Sequence, residues 1–348
     1  MSNNRIWMWG LLIVALGAAI WYRNSQNPVV PEPTTTRIVF VTGGSGPFWK
    51  MAVNGATAAA EEYNADLTVR TPEKEESLQE QTMILTSLKM SEIDGIAVSP
   101  LDADAQTRVI NQMAEHLNVV TFDSDAPLST RQCYVGTSNY RAGQLCVMLI
   151  SEAIPEGGEV AVLVSNLTKH NTKERKIGLE DALQELETDG DGEGIQIVDF
   201  LIDEGNREAC EANIRKAIED HPDLDGFIAI NGYHGPILLE VLKSEGKLAD
   251  LKLVTFDDEP ITLAGVESGE IHGTIAQDPY RYGYEAVRIL TRLHHGKLGE
   301  LPIVGGGAIG VPCDPIRKDD VADFRERLEQ RLNGNPAKVP DNPAADAA

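Results

Sequence analysis

The run DGIAVSP from Asp94 is answered by DGFIAIN from Asp225, 131 positions later. VVTFDSDAP from Val119 is answered by LVTFDDEP from Leu253, which sets Asp123 and Asp257 134 positions apart. A weaker pair, VNGATAAAEE from Val53 and KIGLEDALQE from Lys176, sets Gly55 and Gly178 123 apart. Three echoes in the same order at nearly constant spacing describe two copies of one folding unit. A period of this length excludes a solenoid of short repeats.

Each copy alternates short apolar runs with longer amphipathic stretches, the pattern of βαβ units on a parallel sheet. Strands are expected at 37–41, 65–70, 94–99, 118–123 and 133–136, then at 159–165, 195–201, 225–231, 251–257 and 273–277. Helices are expected between them, at 48–63, 76–90, 103–116, 139–154, 173–187, 206–220 and 234–246 among others. The fold class is therefore α/β, with two Rossmann-like lobes. Open parallel sheets bind ligands outside the carboxyl ends of their strands. Two lobes facing each other with those ends enclose one cleft, and Ser99, Asp123, Asn231, Asp257 and Gln277 become candidates by position. Carboxylates there accept strong hydrogen bonds from hydroxyls, and the amides of Asn231 and Gln277 both donate and accept.

Charge narrows the ligand. The chain carries 54 acidic and 30 basic residues, a net charge of −24. Nucleic acid is excluded as a partner because binding it needs a basic footprint, and bare polyphosphates are disfavoured on the same ground. The four cysteines (Cys133, Cys146, Cys210, Cys313) have no CxxC spacing. Three pairings and separate buried thiols all remain open. The histidines show no spacing suited to a metal, and neither metal nor cofactor is expected.

Residues 6–22, IWMWGLLIVALGAAIWY, carry no charge and follow Arg5. Small residues near their end suit a cleaved secretory signal, whereas Trp7, Trp9, Trp21 and Tyr22 suit a membrane anchor with aromatic residues at both interfaces. Either reading puts the body of the protein outside the cytoplasm. A polar linker rich in Pro and Thr follows.

The loop GGSGPFW (43–49) resembles a phosphate loop at first sight. No Lys-Ser or Lys-Thr follows its glycines, so it is not a P-loop. A dinucleotide fingerprint would need glycine where Trp49 stands. Phe48 and Trp49 either cap the core at a helix start or present flat faces to a ligand in the cleft.

In their order, these motifs resemble the ribose/galactose-binding family of type I periplasmic solute-binding proteins, over about residues 37–330. PFW (47–49) is similar to the family's Pro-Phe-aromatic loop, and VSPLDADA (98–105) to the segment after its third strand. TFDSDAP carries Asp123, placed in the family on sugar hydroxyls. TKERKIGLEDAL carries Arg175, aligned with the arginine that grips ring oxygen and hydroxyls. Asn231, Asp257 and Gln277 match the remaining contact positions. The departures are Gly46 where ribose-type loops have Asn, Ser124 in place of Arg and Ser99 in place of Asn. DEGN (203–206) stands where an aromatic is usual, and Tyr233 and His234 are available to fill that space. The lost arginine and aromatic put ribose itself in doubt as the ligand.

The resemblance implies two α/β lobes joined by a three-crossover hinge near 136–138, 277–279 and 305–307. Residues 1–36 form the leader and linker, 37–137 with 278–306 one lobe, 138–277 with 307–330 the other, and 331–348 a disordered tail. It implies a monomer that closes around a pentose or hexose, with Phe48, Trp49, Ser99, Asp123, Arg175, Asn231, Asp257 and Gln277 as ligand-binding residues. Thr42, Lys50, Asn54 and Asp102 are outer candidates. An ABC-transporter permease is the implied partner, with a membrane sensor kinase as the alternative. Enzymatic use of Asp123 and Asp257 as a carboxylate pair is the minor reading, since no nucleophile with a histidine base accompanies them.

Overall fold

Apolar runs of four to eight residues make the strands. Ile38, Val39, Phe40 and Val41 are all at most 3% exposed, as a strand covered on both faces requires. A computed structural model describes residues 35–189, 194–296 and 307–332. The apolar segment at 6–22 lies outside the described residues. So does the expected tail, except that its first two positions end a helix reaching Leu332. Among the described residues no helix is long and apolar enough to cross a membrane.

In chain order the elements are β1 (Thr36–Val41), α1 (Pro47–Glu62), β2 (Ala65–Arg70), α2 (Leu78–Ser87), β3 (Gly95–Val98), α3 (Ala103–Ala114), β4 (Asn118–Phe122) and β5 (Cys133–Gly136). The second copy runs α4 (Asn139–Ala153), β6 (Gly158–Val164), α5 (His170–Asp189), β7 (Ile195–Ile202), α6 (Arg207–Asp220), β8 (Leu224–Ala229), α7 (His234–Ser244), β9 (Lys252–Phe256), α8 (Pro260–Ser268) and β10 (Gly273–Ala276). The chain then adds α9 (Pro279–His294), β11 (Ala308–Gly310), β12 (Asp314–Arg317) and α10 (Val321–Leu332). The strands expected from the sequence are present, with ends shifted by at most two residues.

Two six-stranded sheets result, ordered β11-β5-β4-β3-β1-β2 and β12-β10-β9-β8-β6-β7. The shared 5-4-3-1-2 order is the internal repeat made visible. Every pairing is parallel except that of β12 with β10. Apolar clusters cover both faces of each sheet. The repeat also extends to helix crossings. A Cβ on Gly55 would stand 1.8 Å from the Tyr280 carbonyl oxygen, where α1 crosses α9. A Cβ on Gly178 would stand 1.9 Å from the Tyr140 carbonyl oxygen, where α5 crosses α4. The echo between these glycines therefore marks the same backbone-to-backbone contact in each lobe.

The chain passes between the sheets after β5, after β10 and after β11. β11 pairs with β5 in the first sheet and β12 with β10 in the second. We therefore place the third crossing at Val311–Cys313, later than the glycines at 305–307, of which 305 and 306 lie outside the described residues. The crossings are laced together. Thr137 Oγ1 donates to the Val311 carbonyl at 2.8 Å, and the buried Tyr282 hydroxyl lies 2.7 Å from Thr137 Oγ1 and 3.0 Å from Gln277 Oε1. The four cysteines are free thiols. Burial pushes Cys133 and Cys313 up to about 11 and Cys146 up to about 12, which keeps them protonated and unreactive.

Candidate functional site

β4 and β9 each end on a Thr-Phe-Asp, and each Asp turns the chain with a left-handed backbone, φ being 59° at Asp123 and 63° at Asp257. That conformation is uncommon outside glycine but tolerated by Asp. It aims both carboxylates into one cleft of about 420 Å³ between the lobes. Phe48, Trp49, Asp123, Arg175, Asn231, Asp257 and Gln277 all line it. Ser99 does not: it is fully buried, and its hydroxyl donates to Asp123 Oδ2 at 2.8 Å. Ser99 is thus corrected from ligand contact to a support that orients Asp123, because its hydroxyl is spent on that carboxylate and the residue does not reach the cleft wall.

Arg175 leaves the first turns of α5 only 2% exposed. Its Nε donates to Asn139 Oδ1 (2.9 Å), Nη1 to the Ile230 carbonyl (2.7 Å) and Nη2 to Gln277 Oε1 (3.1 Å). Its guanidinium carbon lies 3.9 Å from the centroid of the Phe256 ring. The fork is locked, with two of its five N–H donors left over. Gln277 continues the chain of bonds, donating from Nε2 to Asp257 Oδ1 at 2.7 Å. Burial raises the Asp257 carboxyl to about 7, against the opposing pull of Arg175 and Gln277. Asn231 accepts from the Ser165 N–H at 3.0 Å, which leaves its amide donors for the cleft.

The glycine loop serves its neighbours. A Cβ on Gly44 would stand 1.9 Å from Glu75 Oε1, and that oxygen accepts from the Trp49 indole at 2.8 Å. Glu75 Oε2 accepts from the Ser45 N–H at 2.8 Å. Trp49 is 6% exposed and belongs to the first lobe's core, while Phe48, more exposed, sits edge-on to it at 5.1 Å. Trp49 thus packs inward as a core residue, and both rings form part of the cleft wall.

Of the outer candidates, Thr42 is buried and bonds within its own loop, and Asp102 caps α3 by accepting from Asp104 and Ala105 N–H. Lys50 and Asn54 are exposed on α1. None of the four lines the cleft. Ser124 is fully buried.

Tyr233 does line the cleft, beside Gly205 of the DEGN turn and Arg207 at the start of α6. Its hydroxyl donates to Asp203 Oδ1, while His234 is fully buried with Nε2 2.8 Å from Asp203 Oδ2. Asp203, Cys210 and His234 each bring one metal-capable atom within 4.8 Å of the others, and hydrogen bonding already accounts for the Asp203–His234 contact. Sequence reasoning missed Glu75, Glu76, Lys169, Asn171 and Glu259, which complete the wall. Four of them lie in loops without periodicity and Asn171 in the first turn of α5, and only their proximity to strand ends could have flagged them.

The described residues from Thr36 onward form one unit. Residues 38–298 match the periplasmic binding protein domain family. The ribose import binding protein RbsB of Escherichia coli is 24% identical over 82% of this chain and 90% of its own length. GanP, a glucose-galactose binding protein from Geobacillus stearothermophilus, superposes with a TM-score of 0.76 at 28% identity, covering 82% of this chain and 98% of its own. An ABC-transporter solute-binding protein from Burkholderia graminis, solved with D-arabinose, gives 0.75 at 25% identity over 84% and 98%. The chain belongs to the periplasmic binding protein family, in its type I form of two parallel α/β lobes.

Proposed function

We propose that the protein binds a monosaccharide, a pentose or a hexose, between its lobes outside the cytoplasm and delivers it to an ABC-transporter permease. The carrying observation is the convergence of Asp123, Arg175, Asn231, Asp257 and Gln277 on one cleft whose first-lobe wall carries Phe48 and Trp49. Two carboxylates, two amides and a locked guanidinium supply both acceptors and donors for adjacent hydroxyls, and the rings supply a face for C–H groups. The mix suits an uncharged polyol. Sugar-named relatives and an arabinose-bound neighbour support the same reading. Substitution of the usual aromatic by DEGN, with Tyr233 on the wall instead, supports a ligand other than ribose.

The protein acts as a monomer, and residues 6–22 either direct its export or tether it to the membrane. Closure of the lobes around the sugar is the signal that the permease reads. A melting-temperature screen of the full chain against D-ribose, D-arabinose, D-xylose, D-galactose and D-allose tests the reading, since a ligand that binds only the folded state raises the midpoint. At least one sugar is expected to raise it in a dose-dependent way. No shift with any of them would count against a monosaccharide.

A further inference from the structure

Glu76 lies in the loop joining β2 to α2 of the first lobe, and Lys169 in the loop joining β6 to α5 of the second. Lys169 Nζ stands 2.7 Å from Glu76 Oε1, with the two side chains 5% and 22% exposed. Both ends are held by their own lobes. Glu76 N–H donates to the Gly43 carbonyl at 2.9 Å, and Lys169 N–H donates to Asn166 Oδ1 at 3.1 Å. Neighbouring contacts also cross the cleft. Thr168 Oγ1 donates to the Leu101 carbonyl at 3.3 Å, and Asn171 Nδ2 to Asp123 Oδ1 at 3.4 Å.

The second carboxylate oxygen of Glu76 is different. Oε2 is buried and has no hydrogen-bond partner. It faces Gly205 of the second lobe, where even a Cβ would stand no closer than 3.7 Å. Glu76, Gly205, Lys169 and Tyr233 all line the same cleft. A buried acceptor left unpaired is costly unless something donates to it.

We propose that Glu76 and Lys169 form a clasp that holds the lobes shut, and that Glu76 keeps Oε2 for a hydroxyl of the bound ligand. The first half stands on the ion pair alone; the second rests on the polyol reading above. With one partner removed, the other charge regains its hydration when the lobes part, so the loss shifts the protein toward its open form. Ligand affinity falls with the population of the closed form.

Spin labels on exposed Glu115 of the first lobe and Glu219 of the second report the interlobe distance in the full chain. Without ligand, Lys169→Glu and Glu76→Lys are each expected to shift the distribution toward longer distances. The double charge swap is expected to restore it. Calorimetry with D-ribose, D-arabinose, D-galactose and D-allose gives the second readout. Each single variant is expected to bind roughly ten- to hundredfold more weakly. The swap should stay weak although closed, because its carboxylate now projects from the other lobe. Should either charge reversal fail to fold by circular dichroism, Glu76→Gln and Lys169→Met take its place. Unchanged distances in both single variants overturn the clasp, as does a swap that fails to close. A swap with full affinity overturns the ligand role of Glu76. Absence of heat with all four sugars overturns that role together with the polyol reading, while the distances still decide the clasp.

Discussion

Asp123 and Asp257 occupy the same place in the two lobes, and the match extends to their backbones. The Asp123 N–H donates to the Val135 carbonyl at 3.0 Å and the Asp257 N–H to the Ile275 carbonyl at 2.9 Å. Their own carbonyls accept from Tyr134 Oη at 2.8 Å and from Thr274 Oγ1 at 2.7 Å. Each lobe thus fixes a left-handed turn that throws a carboxylate off the end of the fourth strand of its repeat in chain order. A residue with a short polar side chain accepts that turn; one with only a Cβ resists it.

The two roles of each Asp, turn and acceptor, separate by substitution. Asp123→Asn keeps a residue that tolerates the turn, so its urea midpoint in the ligand-free protein is expected to stay near wild type, whereas Asp257→Asn also escapes the cost of burying a charge and is expected to be more stable than wild type at neutral pH. Asp123→Ala is expected to cost about 1 kcal/mol through the backbone. Calorimetry against the sugar that binds wild type should show all three weakened. Asn variants that bind as wild type would remove the carboxylates from the site.

Arg175 should behave differently from the aspartates. A residue that served the ligand alone could be lost without cost to the fold. Its three hydrogen bonds inside the protein and its stacking on Phe256 alter that expectation. Arg175→Ala leaves the Ile230 carbonyl and the Asn139 oxygen without their donor and Gln277 Oε1 with the Tyr282 hydroxyl alone, and is expected to cost about 3 kcal/mol of stability. Arg175→Lys supplies a point charge without the fork, so it should recover part of the stability and little of the binding. Equal denaturation midpoints for Arg175→Ala and wild type would show that the guanidinium serves the ligand alone.

Legibility followed periodicity. The TFD and DG echoes exposed the strand ends, and with them Asp123, Asn231 and Asp257, while the last apolar run before α9 exposed Gln277; all four stand one or two residues past a strand, where the chain leaves the sheet at its carboxyl edge. Ser99 follows a strand too, but its hydroxyl faces Asp123 instead of the cleft, and which neighbour a side chain meets is a tertiary property. Glu75, Glu76 and Lys169 come from irregular loops, where one-dimensional pattern carries no direction. β11 and β12, Ala-Ile-Gly and Asp-Pro-Ile-Arg, lack the apolar run that marks the other short strands, and their pairing depends on strands far away in sequence. That is why the third crossing falls later than the glycine run at 305–307 suggests.

The helix crossings yield a prediction that needs no ligand. Gly55→Ala would drive a methyl group into the Tyr280 carbonyl, and Gly178→Ala into that of Tyr140. Backbone cannot move aside as a side-chain end can, so each is expected to destabilise by about 2–3 kcal/mol. Gly310 has nothing within 4 Å of where its Cβ would stand, and Gly310→Ala serves as the control. Denaturant midpoints measured side by side check the set. A tolerated Gly178→Ala would mean that α4 and α5 sit farther apart than described.

Asp257 carries the pH dependence. Its carboxyl ordinarily titrates near 3.8, and burial raises it to about 7 in the folded protein. The unfolded chain therefore releases this proton first as pH rises. Between those two values the unfolded state binds fewer protons than the folded one, so the contribution of Asp257 to stability falls with rising pH and levels off above 7. Asp257→Asn has no such proton. Its stability relative to wild type should accordingly improve from pH 4 to pH 7 and stay constant beyond, while the titrations of distant groups cancel in the difference. Urea unfolding of both proteins in the ligand-free form at pH 4.5, 6 and 7.5 reads this directly. A difference that does not change with pH would mean that Arg175 and Gln277 outweigh burial and keep Asp257 ionised throughout, ready as a pure acceptor for the ligand.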